Sequence, residues 1–371
     1  MHADIGNPGG GGTIYAVIMA GGKGTRFWPR SRERMPKHLL DIVGARTIIQ
    51  ETLARLSPLI PPDRTLVVTG ASHAEELMRQ LPEVPPDNIL IEPMGRNTAP
   101  CIGLAALAVN RRSPGAVMAV LPADHLIRDE ARFRHVLAAA ARVADREAAL
   151  VTIGIAPTGP ETGYGYLENG EPAGTVAGEA VWRVRSIREK PDRPQAESFL
   201  RQGNFSWNSG MFVWRAPVIL DHIERHLPDL YRGLREIDAA WGAPREADVL
   251  RDAYAAMTPI SIDYGVMEKA RDVLLLKGDF GWSDVGSWDA LWEVSPRDAA
   301  GNAVRSGAHF VGVEARNSFV FSPKKLVALV DVEDLIVVET EDALLICRRG
   351  ASQDVKKVVD LLAEGPGRAY L

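Results

Sequence analysis

Short apolar runs alternate with stretches of helical spacing through the first two-thirds of the chain. Ile14–Met19, Leu66–Thr69, Ile89–Ile91, Ala116–Leu121 and Leu150–Ile155 read as buried strands. Between them, Ile48, Ile49, Thr52, Leu53 and Leu56 share one helical face, as do Phe133, Val136, Leu137 and Ala140. This alternation predicts an α/β fold with a Rossmann-like, doubly wound, mostly parallel sheet. Ligands of such sheets bind where the chain leaves the carboxyl ends of the strands, so a motif that directly follows a strand is favoured by geometry.

After residue 300 the texture changes. Phe310–Val313, Phe319–Phe321, Leu326–Val330, Leu335–Val338 and Leu344–Cys347 are short strands separated by turn residues, and a helix with Val355, Val358, Val359 and Leu362 as its apolar stripe follows them. They predict a small β domain of short rungs, like a left-handed β-helix, serving assembly or stability rather than chemistry. The expected division is a flexible, Gly-rich arm over 1–13, a catalytic domain over 14–300 and the β domain over 301–371.

A length of 371 residues, 46% of them hydrophobic, allows two or three domains with a large core. Lys and Arg number 43 against 48 Asp and Glu, a formal charge of −5 without a basic run. That argues against a nucleic-acid strand as partner, since such binding needs a basic surface to release counterions. Any anion must be held by a local pocket. The apolar runs fall well short of the ~20 residues that span a bilayer. Residues 1–12 lack the basic and apolar regions of a secretory signal. Cys101 and Cys347 make no disulfide framework and no metal spacing, so both are expected as core thiols in a reducing cytoplasm.

The strongest chemical signal follows the first strand: Gly21-Gly22-Lys23-Gly24-Thr25-Arg26-Phe27-Trp28-Pro29, then Ser31-Arg32 and Pro36-Lys37. Glycines let the backbone approach an anion, and successive N–H groups in a tight turn make a concave anion site. Arg26 and Lys37 add cations that reach phosphate oxygens. The run is not a Walker P-loop, which needs G-x-x-x-x-G-K-[ST], nor a dinucleotide G-x-G-x-x-G, because residue 27 is Phe. It reads as a phosphate cradle with two basic arms.

This stretch resembles the signature of the sugar-1-phosphate nucleotidylyltransferases, and its Trp28-Pro29 form is similar to the mannose-1-phosphate guanylyltransferases. Further blocks match in family order: Glu92-Pro93-Met94-Gly95-Arg96-Asn97-Thr98-Ala99-Pro100, Leu121-Pro122-Ala123-Asp124-His125, Pro160–Tyr166, Arg188-Glu189-Lys190-Pro191, Trp207-Asn208-Ser209-Gly210-Met211 and Trp282–Trp288. The resemblance implies transfer of GMP from GTP to mannose 1-phosphate, giving GDP-mannose and pyrophosphate, in a homodimer.

By the same resemblance Asp124, at the ligand edge of the sheet, and Asp284, in a Gly-containing loop between tryptophans, are metal ligands. As a pair they suit a hard divalent cation, Mg²⁺ or Mn²⁺, which takes a few carboxylates plus phosphate oxygens. His125 reads as a packing neighbour, since no second histidine lies at ligand spacing. Gly21, Gly22, Gly24 and Thr25 would cradle the nucleotide phosphates, and the block with Glu92, Asn97 and Thr98 would face the base. Asn97 and Thr98 before Pro100 also read as a plain helix cap with Pro at the first helical position.

Gly163 and Tyr164 would approach the sugar ring. Glu189 and Asn208, the latter in a loop before the strand Met211–Trp214, would meet its hydroxyls and Lys190 its phosphate, with Asp263 in a supporting role. Two alternatives remain. One is the same chemistry on another hexose or heptose 1-phosphate or another nucleotide. The other is a regulatory homologue that binds a nucleotide sugar without turnover, which would be expected to lose a metal ligand or a basic arm. An added mannose-6-phosphate isomerase activity is disfavoured, because only His309 occurs after residue 300.

Overall fold

Strand formation follows the apolar runs closely. The computed structural model describes residues 12–22, 24–305, 307 and 309–371. The expected arm over 1–13 lies outside the described residues except for its last two, and so does Lys23 of the glycine signature. The strands are β1 Ile14–Ala20, β2 Thr65–Gly70, β3 Ile89–Glu92, β4 Val117–Pro122, β5 Leu126–Ile127, β6 Leu150–Ile155, β7 Gly165–Val176, β8 Glu179–Arg188, β9 Phe205–Arg215, β10 Val273–Gly278 and β11 Trp282–Ser283. Six further strands follow: β12 Ala303–Arg305, β13 Phe310–Val313, β14 Phe319–Phe321, β15 Val327–Val330, β16 Leu335–Glu339 and β17 Leu344–Arg348. The helices are α1 Ile48–Leu56, α2 Ala74–Gln80, α3 Thr98–Arg112, α4 Glu130–Glu147, α5 Arg193–Gln202, α6 Ala216–His226, α7 Pro228–Ala240, α8 Glu246–Ala256, α9 Trp288–Val294 and α10 Val355–Glu364.

Contacts divide the chain into two compact units, and neither is continuous in sequence. One comprises the chain up to Gly21, Leu53–Ala123 and Ile127–Trp282; the other comprises Gly22–Thr52, Asp124–Leu126 and Ser283–Leu371.

The first unit is built on one sheet in the order β3-β2-β1-β4-β9-β6-β10-β8-β7. β1 pairs in parallel with β2 (Ile18↔Val67) and with β4 (Ile18↔Leu121), and β2 with β3 (Val68↔Leu90), so the carboxyl ends of these strands share one edge. β9 runs antiparallel between β4 and β6, and β8 antiparallel beside β10; the other strands share one direction. α3 supplies much of the core on one face, because its run Ala99–Val109 is buried throughout. Its start is fixed by Asn97, whose Oδ1 accepts from the Thr98 N–H at 2.9 Å. Pro100 therefore stands at the third helical position, not the first.

The second unit contains the rungs. β12, β14 and β16 pair in parallel with β17 antiparallel at the end, and β13 pairs in parallel with β15. Its core gathers Phe319, Phe321, Ile336 and Val338 around Trp288, and Phe27 and Trp28 of the glycine signature belong to the same cluster. Trp288 meets Phe27 edge-on at 4.9 Å, lies 5.6 Å from Phe319, and donates from Nε1 to the Trp28 carbonyl at 3.1 Å. Truncating an aromatic buried in this way costs about 3–5 kcal/mol. The aromatics thus couple the signature loop to the β rungs, and the apolar stripe of α10 packs on the same core.

Of the two cysteines, Cys101 is buried, and Cys347 near the end of β17 is half-buried, packed against the core of the second unit.

Candidate active site

The basic arms are set by two single turns of 3-10 helix, Thr25–Phe27 and Lys37–Leu39. They meet because Gly24, at φ 57°, allows it: a β-carbon there would lie 2.8 Å from both the backbone nitrogen and the β-carbon of Lys37. The Ser31 hydroxyl closes the turn on the Gly24 carbonyl at 2.7 Å. Gly21 and Gly22 border open space, as a cradle requires.

Lys37 is buried, and its ammonium is the centre of the site. It donates to Asp124 Oδ2 at 2.9 Å and to the Asp284 carbonyl at 2.5 Å. Arg26 is exposed and donates to the Gly286 carbonyl at 3.3 Å. Gly286 in turn donates its N–H to Asp284 Oδ1 at 3.0 Å, and a β-carbon at Gly286 would lie 2.6 Å from Asp284 Oδ2. Glycine at this position is what lets the aspartate side chain fold against the loop. Gly24, Thr25, Arg26, Lys37, Asp124 and Asp284 line one cavity of about 230 Å³, with His125 on its wall. Burial raises the Asp124 carboxyl, but the charges of Lys37 and His125 and the hydrogen bond from Lys37 outweigh it and hold it at about 2.

The chemistry of the donor set bears on metal binding. Asp124 and Asp284 offer hard carboxylate oxygens without a thiol, and among the described residues no group of three or more His, Cys, Asp or Glu is disposed to hold a metal. That fits a cation which takes one or two carboxylates and completes its shell with phosphate oxygens, and it does not fit a structural zinc site.

In the first unit a second cluster forms. Asn208 lies within β9, not in a loop, and its backbone pairs with Gly154 of β6 and Gly165 of β7. The apolar run Met211–Trp214 hid this, because the strand continues through the polar residues before it. Asn208 Nδ2 donates to Asp263 Oδ1 at 2.8 Å. Burial and the charge of Glu189 push the Asp263 carboxyl up to about 6. Glu189 pairs with the Lys190 ammonium at 3.1 Å, its N–H donates to Glu268 Oε1 at 3.2 Å, and the Lys190 N–H donates to the Tyr164 carbonyl at 3.2 Å. Tyr164 meets Trp207 and Trp282 edge-on at 5.1 and 5.3 Å, and Gly163 stays exposed beside it.

The block after β3 is pinned to the same segment. The Ile262 N–H donates to Thr98 Oγ1 at 2.8 Å, and Arg96 donates to the Tyr254 and Ala255 carbonyls at 2.7 and 2.8 Å. Residues 260–268 therefore join the Asn97–Thr98 turn to the Asn208–Asp263 pair.

Residues 15–301 match the model of the nucleotidyl transferase family, and residues 308–362 that of the MannoseP isomerase/GMP-like beta-helix domain. Over 361 residues the chain is 42% identical to the mannose-1-phosphate guanylyltransferase of Klebsiella pneumoniae, covering 96% of this chain and 75% of that protein. The chain belongs to the mannose-1-phosphate guanylyltransferase family. The Escherichia coli K12 protein of the same description is 41% identical over 359 residues, 94% of this chain and 73% of its own. A solved structure described as a mannose-1-phosphate geranyltransferase from Thermus thermophilus superposes with a TM-score of 0.86 at 34% identity, covering 95% of this chain and 99% of that one.

Membership of this family gives the two clusters their context. Sequence reasoning singled out both basic arms and both aspartates, and they line a single cavity. It missed Gly286, whose carbonyl accepts from Arg26; Glu268, which holds the Glu189 backbone; and Trp282, which packs on Tyr164. The signal was present for Gly286 and Trp282, which stand inside the matched block Trp282–Trp288. Glu92 differs from the display expected of a base contact. It is 7% exposed, and its Oε1 is buried without a hydrogen-bond partner among the described residues. Burial pushes its carboxyl up to about 7, against the lowering effect of its hydrogen bond with Tyr254.

A pH dependence follows. The folded state holds the Glu92 proton more tightly than the unfolded chain, where a Glu titrates near ~4.3, so stability falls as pH rises from there to about 7. Glu92→Gln is expected to flatten that decline. Melting temperatures of both proteins, taken from about pH 4 to about pH 8 so as to bracket the transition, check it, and parallel curves would contradict it.

Proposed function

We propose that this protein transfers GMP from GTP to α-D-mannose 1-phosphate, releasing pyrophosphate and forming GDP-mannose. The observation that carries the reading is the convergence of Arg26, Lys37, Asp124 and Asp284 on one cavity beside a glycine turn. The attacking oxygen belongs to a phosphate that is already anionic, so in-line attack on the α-phosphorus needs no general base. Catalysis then rests on alignment and on neutralising the charge of the leaving pyrophosphate. Arg26 and Lys37 are the groups for that charge, with Gly21, Gly22, Gly24 and Thr25 offering backbone N–H groups to the phosphates. Mg²⁺ or Mn²⁺ held by Asp124 and Asp284 would add charge neutralisation on phosphate oxygens.

In the first unit, Asn97 and Thr98 are assigned to the base, while Glu92, buried with its carboxyl beside Tyr254, is withdrawn from that contact. Lys190 is assigned to the sugar phosphate. Glu189 and Asn208, steadied by Asp263, are assigned to the sugar hydroxyls, and Tyr164 with Gly163 to the face of the ring. The working state is a homodimer in the cytoplasm. Among the described residues no helix is long and apolar enough to cross a membrane.

Pyrophosphate release across a matrix of nucleoside triphosphates and sugar 1-phosphates tests the reading. GTP with mannose 1-phosphate is expected to give the highest kcat/KM. A flat response to that pair would refute it, and tight GDP-mannose binding without turnover would favour the regulatory alternative.

A further inference from the structure

The two basic arms stand at the ends of a loop whose middle takes no part in the proposed chemistry. That middle is unusually well held. Arg32 is the hub: Nε donates to the Pro29 carbonyl at 2.8 Å, Nη1 donates to the Tyr370 carbonyl, and Nη2 pairs with Asp342 Oδ1 at 2.6 Å. Its backbone exchanges hydrogen bonds with Met35 in both directions at 3.0 Å, closing the loop upon itself. Its guanidinium lies 5.8 Å from the Trp28 ring, and Trp28 Nε1 donates to the same Tyr370 carbonyl at 2.9 Å. Arg30 stacks over Phe321 of β14 at 4.8 Å. Asp342 stands in the turn between β16 and β17, where it also accepts from the Thr340 hydroxyl at 2.9 Å.

We propose that Arg32 is a positioning residue for the phosphate cradle, holding the loop between Arg26 and Lys37 onto the β rungs through Asp342 and the Tyr370 carbonyl. The physical argument is one of geometry. A planar guanidinium with five donors in a rigid fork is the side chain that can meet acceptors on three chain segments at once, and a lysine in its place cannot. The pair with Asp342 is partly exposed, the Arg32 side chain 18% and that of Asp342 50%. Its value therefore lies in fixing the loop rather than in the strength of an ion pair. A loop displaced by ~1 Å can cost on the order of 10²-fold in rate where aligned groups do the work. The β domain thereby becomes part of the catalytic apparatus, not only the assembly or stability element its sequence implied.

The inference rests on the proposed role of Arg26 and Lys37, and the experiment separates the two. Arg32→Ala, Asp342→Ala and the double variant are compared with the wild type in the full chain, by calorimetric titration with pyrophosphate and by steady-state kinetics with GTP and mannose 1-phosphate. Arg32→Ala is expected to weaken pyrophosphate binding and raise the KM for GTP roughly tenfold, to lower kcat by up to ~10²-fold, and to leave the KM for mannose 1-phosphate unchanged. Asp342→Ala should move the same quantities less, and the double variant should be no worse than Arg32→Ala. Mere loss of folded protein would lower the titrated stoichiometry and leave every KM unchanged, which would overturn the proposal. So would additive effects of the two substitutions. Should Arg32→Ala not fold, Arg32→Lys and Asp342→Ala carry the same readouts. Wild-type protein that binds pyrophosphate but does not turn over this substrate pair would refute the proposed function, and the titration would still decide the role of Arg32.

Discussion

Lys37→Met is expected to lower kcat by about 10²–10³-fold, the usual loss when a preorganised transition-state donor is removed. Arg26→Ala should fall in the same range, but the two variants should differ in pH behaviour. Lys37 is buried and its charge helps to hold the Asp124 carboxyl at about 2, whereas Arg26 is exposed and donates to a carbonyl in the loop. Removing Lys37 lets the Asp124 carboxyl rise, so the acid limb of the pH–rate profile should move to higher pH in Lys37→Met and stay in place in Arg26→Ala. The stability term has a matching sign. A carboxyl depressed in the folded state stabilises above its unfolded value, near ~3.9, and that contribution is lost as pH falls towards about 2. The acid decline in melting temperature should therefore be altered in Lys37→Met alone. Turnover near the wild-type rate in either variant would remove the cradle from the mechanism.

The aspartates are the second large effect. Asp124→Asn and Asp284→Asn are each expected to reduce kcat by about 10³-fold, matching several kcal/mol of charge stabilisation lost with a cation. Each should also raise the Mg²⁺ concentration needed for half-maximal rate. Their stabilities should part. Lys37 contacts Asp284 through the backbone carbonyl, which survives substitution, but contacts Asp124 through the carboxylate. Asp124→Asn leaves a buried ammonium without this counter-charge and should lower the melting temperature more than Asp284→Asn, whose contact with Lys37 survives. Equal metal dependence in wild type and both variants, measured by titrating Mg²⁺ into the rate assay, would exclude the pair as ligands.

Strand–helix alternation and the short rungs were legible in the chain because each rests on local periodicity. Boundaries moved by a residue or two where polar residues continue an element, as at Glu92 and Glu339. Asn208 moved furthest, from a presumed loop into β9, because backbone pairing on both sides carries a polar residue into a strand that its side chain does not announce. The buried carboxyl of Glu92 was equally invisible: a Glu at a strand end reads as polar and displayed, and only packing against Tyr254 turns it inward.

By itself the sequence determined the fold class, the family and the inventory of chemical groups, since periodicity, glycine turns and motif order are written within a few residues of one another. The tertiary structure alone decided which of those groups act together. Lys37 meets Asp124 across 87 positions and Asp284 across 247, and the loop that carries the two basic arms shares a core with rungs near the other end of the chain. The physical reason is that such convergence comes from side-chain packing between distant segments, here Trp288 against Phe27 and Phe319, and no local propensity encodes it.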